Sequence, residues 1–266
     1  MNLQEELFNK AKRYHMSGQF KKANDIYLNL IKLNEKSFLL HNLAGTTFLQ
    51  LCEYDNAIKY LNIAIKLNPN FPDNYNNIGI AFAEKQQFQK AKNCYDKAII
   101  LKKNFFDAIL NKSIALKNLL EYEESLKCLK LCIKINPKNP KIYINLGNIF
   151  VILKRYKEAK NAYDRAINLD KEYSEAYSNR GELFQKHLKD IKSAIKDYEK
   201  AFKINRKLEF VYGKMVHAKM YINDWSNFDK QITNLKREIK NKQLVTLPFP
   251  ILSFCKLNDL FCFFLV

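Results

Sequence analysis

The feature that most constrains the fold is a sequence repeat of 34 residues. Four of the six glycines in the chain fall on one register of this period, at Gly45, Gly79, Gly147 and Gly181. A row of aromatic residues follows a second register, at Tyr54, Phe88, Tyr122 and Tyr156. A repeat this short cannot bury its apolar face alone, so each repeat must pack against its neighbours. The sequence therefore predicts a stack of similar structural repeats.

Each repeat has the pattern of two amphipathic helices, because apolar residues recur at spacings of three and four. Pro72 and Pro140 stand at predicted helix starts, where a missing N–H costs nothing. Asp73, Asp107 and Glu175 follow in first turns, where an acidic side chain interacts favourably with the helix dipole. With only 6 Gly and 6 Pro in 266 residues, the sequence favours helices throughout and disfavours a glycine-rich dinucleotide-binding fold.

The repeats resemble the tetratricopeptide repeat. Residues 72–105 show its pattern with Tyr75, Ile78, Gly79, Phe82, Phe88, Ala91, Tyr95 and Ala98. Six repeats are recognised, at 4–37, 38–71, 72–105, 106–139, 140–173 and 174–208. The last carries one extra residue near His187–Asp190, and the first is degenerate, as expected for a repeat that caps the stack. The resemblance implies an all-α, right-handed solenoid over residues 1–208, with the first helix of each pair lining a concave groove.

Four asparagines occupy one register of the repeat, just before the glycine position, and we call them the Asn ladder. They are Asn77, Asn111, Asn145 and Asn179. Given the resemblance, these side chains should project into the groove. An amide side chain offers one acceptor and two donors, enough to hold a peptide backbone without reading its sequence. The ladder therefore predicts a protein-interaction scaffold that binds extended peptide segments.

The net charge of +18 arises almost entirely from 39 lysines, with only 6 arginines. Lysine scattered over a solvated surface accounts for this charge without any function. A basic groove that attracts acidic peptides, or nucleic acid, is the alternative interpretation. No compact arginine and aromatic motif supports nucleic-acid binding, so protein or peptide partners, acidic ones among them, are favoured over nucleic acid.

Residues 209–253 resemble the junction between repeats and catalytic domain in the SPINDLY and protein O-linked N-acetylglucosaminyltransferase family. The resemblance rests on residues 217–225, HAKMYINDW, and 248–252, PFPIL. It implies an alternative function, the substrate-recognition arm of an enzyme that transfers N-acetylglucosamine from UDP-N-acetylglucosamine to Ser or Thr. That family's catalytic domain would follow these residues, so the chain is not expected to be an enzyme by itself.

The last residues, 254–266, form an apolar tail, FCKLNDLFCFFLV, that fits no regular amphipathic pattern. A truncated or frameshifted reading frame is one hypothesis for this tail. If exposed, the tail would promote self-association.

Candidate residues for chemistry are sparse. Cys52, Cys94, Cys128, Cys132, Cys255 and Cys262 form no CxxC pair, so reduced packing cysteines are predicted. The four histidines are far apart in the repeat, and no catalytic or metal-ligating constellation converges. We therefore predict no catalytic residue, cofactor, metal or small-molecule substrate. The start of the chain is unlike a signal peptide and no apolar run could span a membrane, which favours a cytoplasmic protein.

Overall fold

The computed structural model describes residues 3–208, 210–224, 226, 229–230, 232–234 and 237. Within these residues the chain forms helices and turns and contains no strand, as the repeat pattern predicts. The chain divides into two compact units, Met1–Pro137 (unit 1) and Lys138–Val266 (unit 2).

Unit 1 consists of four helix pairs joined by short turns. Its helices are α1 (Leu3–Met16), α2 (Phe20–Leu33), α3 (Phe38–Gln50), α4 (Tyr54–Leu67), α5 (Pro72–Glu84), α6 (Phe88–Leu101), α7 (Phe106–Asn118) and α8 (Tyr122–Ile135). Successive helices from α1 to α8 pack against one another, and α5 also contacts α3 and α7. Each pair coincides with one predicted repeat. Pro72 begins α5, as expected from its missing N–H.

Unit 2 continues with two further pairs and one more helix. Its elements are α9 (Pro140–Ile152), α10 (Tyr156–Leu169), α11 (Ser174–Leu183), a π-helical turn (Phe184–Leu188), α12 (Ile191–Ile204) and α13 (Val211–Tyr221). Successive helices again pack together, and α11 also contacts α9. Pro140 begins α9, behind an Asn139 side chain that accepts a hydrogen bond from the Lys141 N–H.

The turns that follow the six first helices and α13 share one backbone feature. One residue per turn adopts a positive φ between 56° and 73°, namely Gly18, Cys52, Gln86, Leu120, Lys154, Lys189 and Asn223. The next residue donates its backbone N–H to a carbonyl near the end of the preceding helix, for example Gln87 to Phe82 at 2.8 Å. This bond satisfies a carbonyl that the helix end leaves without a partner. The repeated turn holds the two helices of each pair in register.

The extra residue of the sixth repeat is absorbed by the π-helical turn. There the closing hydrogen bond runs from the Asp190 N–H to the Phe184 carbonyl at 3.1 Å. The turn that this bond closes is one residue longer than the other turns. Asp190 then caps α12 by accepting from the Ser193 N–H. The sequence places the insertion near His187–Asp190, and the structure places it at the end of the first helix.

Helix α13 follows the register of the first helices beyond the six predicted repeats. Asn223 has the turn conformation found in the six preceding repeats, and the Asp224 N–H closes the turn on the Lys219 carbonyl at 2.9 Å. Val211, Met215 and Val216 are buried in the cluster that α13 shares with α11 and α12. Of residues 209–253, which the sequence predicts to be a junction, the structure describes mainly α13 and this turn, and residues 254–266 lie outside the described residues.

The glycine register lets the two helices of a pair approach closely. A Cβ atom at Gly79 would lie 2.7 Å from Cδ1 and 2.9 Å from Cζ of Tyr95, and Gly147 faces Tyr163 in the same way. Both tyrosines are almost fully buried, and burial raises the pKa of each well above its usual range. The absence of a side chain at these two positions therefore allows the two helices to approach closely.

Candidate peptide-binding surface

In unit 1 the Asn ladder lies between neighbouring first helices. Asn77 on α5 donates from Nδ2 to Thr46 Oγ1 on α3 at 3.5 Å. Asn111 on α7 donates from Nδ2 to Asn76 Oδ1 on α5 at 3.1 Å. Both ladder side chains are half-buried. Each therefore braces one first helix against the preceding one.

The same seam in unit 1 carries a second amide contact. Asn42 Nδ2 on α3 donates to Asn74 Oδ1 on α5 at 2.5 Å. Asn74 is fully buried, and its own Nδ2 has no hydrogen-bond partner among the described residues. Polar side chains thus line the seam from α3 to α7, which the sequence register of the ladder alone did not predict.

In unit 2 only one of the two ladder residues contacts the preceding first helix. Asn179 on α11 donates from Nδ2 to Asn148 Oδ1 on α9 at 3.2 Å, and Asn148 also accepts the hydroxyl of Tyr163 at 2.8 Å. Asn145 on α9 donates to the Lys141 carbonyl of its own helix at 3.0 Å. Both ladder side chains are half-buried here as well.

One N–H group of each ladder residue is therefore engaged inside the protein. The Oδ1 atom and the second N–H of all four residues have no partner among the described residues. A half-buried amide with an unused acceptor and donor can accept from and donate to a peptide backbone. The internal hydrogen bond fixes the side chain in advance, which lowers the entropy lost on binding.

Unit 2 also contains a cavity of about 320 Å³ next to α13. Its walls come from α11, the π-helical turn, α12 and α13: Glu182, Gln185, Lys186, Lys189, Ile191, Tyr198, Phe210, Lys214, His217 and Tyr221. This volume is at the lower end of the range, about 300–1,000 Å³, found for small-molecule sites. Lys214 stands one repeat after Asn179, at the ladder position, so the cavity adjoins the ladder register.

The polar groups of this cavity form two small networks. Glu182 is paired with Lys186 at 2.5 Å and with Lys214 at 2.6 Å. Burial alone would raise the pKa of Glu182, but hydrogen bonds from these lysines outweigh burial and lower it. Gln185 accepts the Tyr198 hydroxyl at 2.9 Å and lies 3.3 Å from His217 Nδ1. Glu182 is thus held ionised, with its charge already balanced by lysine.

Three of the four cysteines in the described region are shielded from water, and Cys52 is exposed. Burial raises the pKa of Cys132 to about 12 and also raises the pKa of Cys94 and Cys128. These thiols therefore stay protonated near neutral pH, and a protonated thiol is a poor nucleophile. Within the described residues no three His, Cys, Asp or Glu side chains are grouped as metal ligands, and no helix is long and apolar enough to cross a membrane.

Models of known protein families match most of the repeats. A tetratricopeptide repeat family model matches residues 39–71, 72–105, 106–139 and 174–208, and a second TPR repeat model matches 147–187. No curated protein sequence matches the chain. The resemblance of residues 209–253 to the SPINDLY family receives no support from these matches.

Solved tetratricopeptide structures share the fold. A repeat protein from Parabacteroides merdae superposes with a TM-score of 0.71 at 16% identity, over 86% of this chain and 92% of that one. A chain of the APC/C hetero-tetramer Cut9-Hcn1 gives 0.68 at 17% identity, over 80% of this chain and 42% of its own length. YrrB, described as having an unusual peptide-binding site, gives 0.54 at 17% identity, over 73% and 97%. The repeat matches span about half of the residues of this chain and show that the chain belongs to the tetratricopeptide repeat family.

Proposed function

We propose that the chain is a protein-interaction scaffold whose first helices hold extended peptide segments through the Asn ladder. The observation that carries this proposal is the state of the four ladder amides: each is fixed by one internal hydrogen bond, while its oxygen accepts none from the part of the chain that the structure describes. YrrB, which shares the fold, is described as a peptide-binding repeat protein. The proposal applies to each unit separately, with one pair of ladder residues in unit 1 and one in unit 2.

Acidic segments are the favoured partners within this proposal, because the net charge of +18 attracts negatively charged chains. Peptide binding through amides should survive moderate salt. A steep loss of affinity with salt for any polyanion would instead indicate nucleic-acid-like binding by counterion release. A cytoplasmic location and self-association through residues 254–266 remain predictions from the sequence.

The ladder can be tested with peptides selected from a random phage-displayed library on the intact chain. The selected peptides are then titrated by fluorescence anisotropy against a variant with Ala at Asn77, Asn111, Asn145 and Asn179. We expect a loss of about tenfold or more, because each neutral hydrogen bond contributes about 1 kcal/mol and 1.4 kcal/mol is tenfold in affinity. Circular dichroism checks that the variant is folded.

A matched control replaces four exposed asparagines that lie outside the ladder, Asn62, Asn93, Asn104 and Asn161, by Ala. This control should bind the selected peptides like the wild-type protein. Equal affinity of the ladder variant and the wild type, or failure to select any peptide, would contradict the proposal.

A glycosyltransferase arm is the alternative for the same surface, and it rests only on the resemblance of residues 217–225 and 248–252. It differs from the scaffold in one measurable respect. If this alternative holds, fusing the chain to the catalytic domain of a protein O-linked N-acetylglucosaminyltransferase should direct sugar transfer to the selected peptides. The same fusion with Ala at the four ladder positions should no longer prefer these peptides.

A further inference from the structure

The cavity beside α13 exists where one repeat lacks a bulky ring. The residue that begins the second helix is aromatic in the first five repeats: Phe20, Tyr54, Phe88, Tyr122 and Tyr156. In the sixth repeat, once the inserted residue is counted, this position is Ile191, which begins α12 and lines the cavity. Replacing a ring by a smaller aliphatic side chain leaves unfilled volume unless the surroundings collapse.

The fifth repeat shows where such a ring would lie. Tyr156 stacks on His187, near the end of the next first helix, with ring centroids 4.5 Å apart. The matching region of the next repeat is the end of α13, and there Tyr221 lines the cavity together with Ile191. The cavity thus occupies the space between the start of α12 and the end of α13 that an aromatic residue fills one repeat earlier.

The walls of the cavity fit an aromatic guest. Ile191, Tyr198 and Phe210 supply apolar surface, and Ile191 and Tyr198 are buried in unit 2. Aromatic side chains gain from tilted or stacked contacts with other rings in addition to the area they bury. An apolar side chain of ring size is therefore the best match for this space.

The rim of the cavity is positively charged. Among the described residues, Lys186, Lys189 and Lys214 line it with one carboxylate, Glu182, which Lys186 and Lys214 already neutralise. Lys189 is exposed and has no partner among the described residues. An acidic residue next to the ring would pair with this free ammonium group.

We propose that this cavity is a specificity pocket for an aromatic side chain of a partner peptide, with an acidic residue beside it. The pocket would select which extended segments the ladder register holds, so its biological role rests on the proposed function. Its existence as a binding site does not, because a short peptide can probe it without the ladder.

The probe is the capped tripeptide acetyl-Glu-Phe-Glu-amide, titrated into the ¹⁵N-labelled chain and followed by NMR. We expect shifts of backbone amides around the cavity, including those of Lys214 and His217. Acetyl-Glu-Ala-Glu-amide should bind about tenfold more weakly, because burying a ring contributes about that much affinity. Acetyl-Lys-Phe-Lys-amide should also bind more weakly than the acidic peptide, because its charges repel the rim.

Three variants sharpen the test. Ile191→Phe restores the ring of the other repeats, so the protein should fold and lose tripeptide binding. Ile100→Phe adds the same ring at a position that is 77% exposed and should leave binding unchanged. Lys189→Glu, on the exposed rim, should weaken binding of the acidic tripeptide and strengthen binding of the basic one.

Several results would overturn the pocket. They are absence of shifts with the ring-bearing acidic peptide, equal binding of the Ala peptide, and full binding by Ile191→Phe. Nuclear Overhauser effects that place an aromatic ring of the same chain, or of a second copy, inside the cavity would also overturn it. Tripeptide binding combined with a ladder variant that binds long peptides normally would refute the proposed function and leave the pocket standing.

Discussion

Replacing Arg180 by Met is expected to destabilise unit 2 by about 3–5 kcal/mol, the range for removing one partner of a buried ion pair. Arg180 on α11 donates from Nε and Nη2 to both carboxylate oxygens of Asp197 on α12, each at 2.7 Å. It also donates to Asp164 on α10 at 2.5 Å. Asp197 is only 6% exposed, so without Arg180 its charge would be buried and uncompensated. Thermal and urea unfolding followed by circular dichroism measure the loss.

The pH dependence of this variant provides a second readout. Burial raises the pKa of Asp197 above its usual value, although Arg180 opposes the rise. Without Arg180 that pKa should rise further, and a group with a raised native pKa loses stabilisation as pH increases through it. The difference in the free energy of unfolding between wild type and Arg180→Met should therefore be largest near pH 7 and become smaller toward pH 4.

Two further variants separate the buried pair from surface charge. Lys160→Met removes a half-exposed partner of Asp164 and should change stability by less than about 1 kcal/mol. Arg180→Met combined with Asp197→Leu should recover most of the loss, because a buried ion pair is often replaced by apolar residues without cost. A single Arg180→Met variant as stable as wild type at pH 7 would contradict the account of these contacts.

Replacing Gly147 by Ser is expected to destabilise unit 2 by about 1–3 kcal/mol through overpacking. A Cβ atom at Gly147 would lie 2.7 Å from both Cδ1 and Cζ of Tyr163 and closer still to Cε1. Tyr163 has little room to withdraw, because it is 2% exposed and its hydroxyl donates to Asn148. The better helix propensity of Ser offsets only a few tenths of a kcal/mol. Urea unfolding measures the change.

The fourth repeat supplies the matched rescue. There Ser113 stands at the glycine position, and Leu129 stands at the position of Tyr163. Both residues are almost fully buried in α7 and α8. Combining Gly147→Ser with Tyr163→Leu should recover much of the lost stability, because the two residues share one space and their effects are not additive. A double variant with the summed loss of the single variants would contradict this packing.

The repeat register predicts most of the fold because every repeat uses the same local chemistry. Glycine or another small residue faces a large side chain, and proline or a capping residue begins a first helix. The helix starts predicted at Pro72 and Pro140 are therefore confirmed. The close approach of Gly79 to Tyr95 is explained by the small residue at the glycine position. A period of 34 residues fixes these features without any knowledge of long-range contacts.

Features that depend on departures from the period could not be predicted in the same way. The extra residue of the sixth repeat is visible in the sequence, but its place in a π-helical turn depends on which backbone hydrogen bonds survive. The Arg180 network joins side chains from three helices, which no spacing reveals. Ile191 was detectable as the break in the aromatic register once the insertion was counted, and only the structure shows the cavity beside it.

The sequence predicted the ladder as a register and the structure adds what its amides contact. Because Asn77, Asn111 and Asn179 donate to the preceding first helix, part of their role is to brace neighbouring helices. A stabilising role and a binding role therefore coexist in the same side chains. Affinity has to be compared with stability in every ladder variant.

The side-chain amide resonances of the ladder test the central claim most directly. In ¹⁵N–¹H spectra these resonances are assigned from the single Ala variants at Asn77, Asn111, Asn145 and Asn179, and a selected peptide is then added to the wild-type chain. We predict that ladder resonances shift in at least one unit, while those of Asn62, Asn93, Asn104 and Asn161 do not. Peptide binding that leaves all four ladder amides unshifted, or that shifts the control amides instead, would contradict the account.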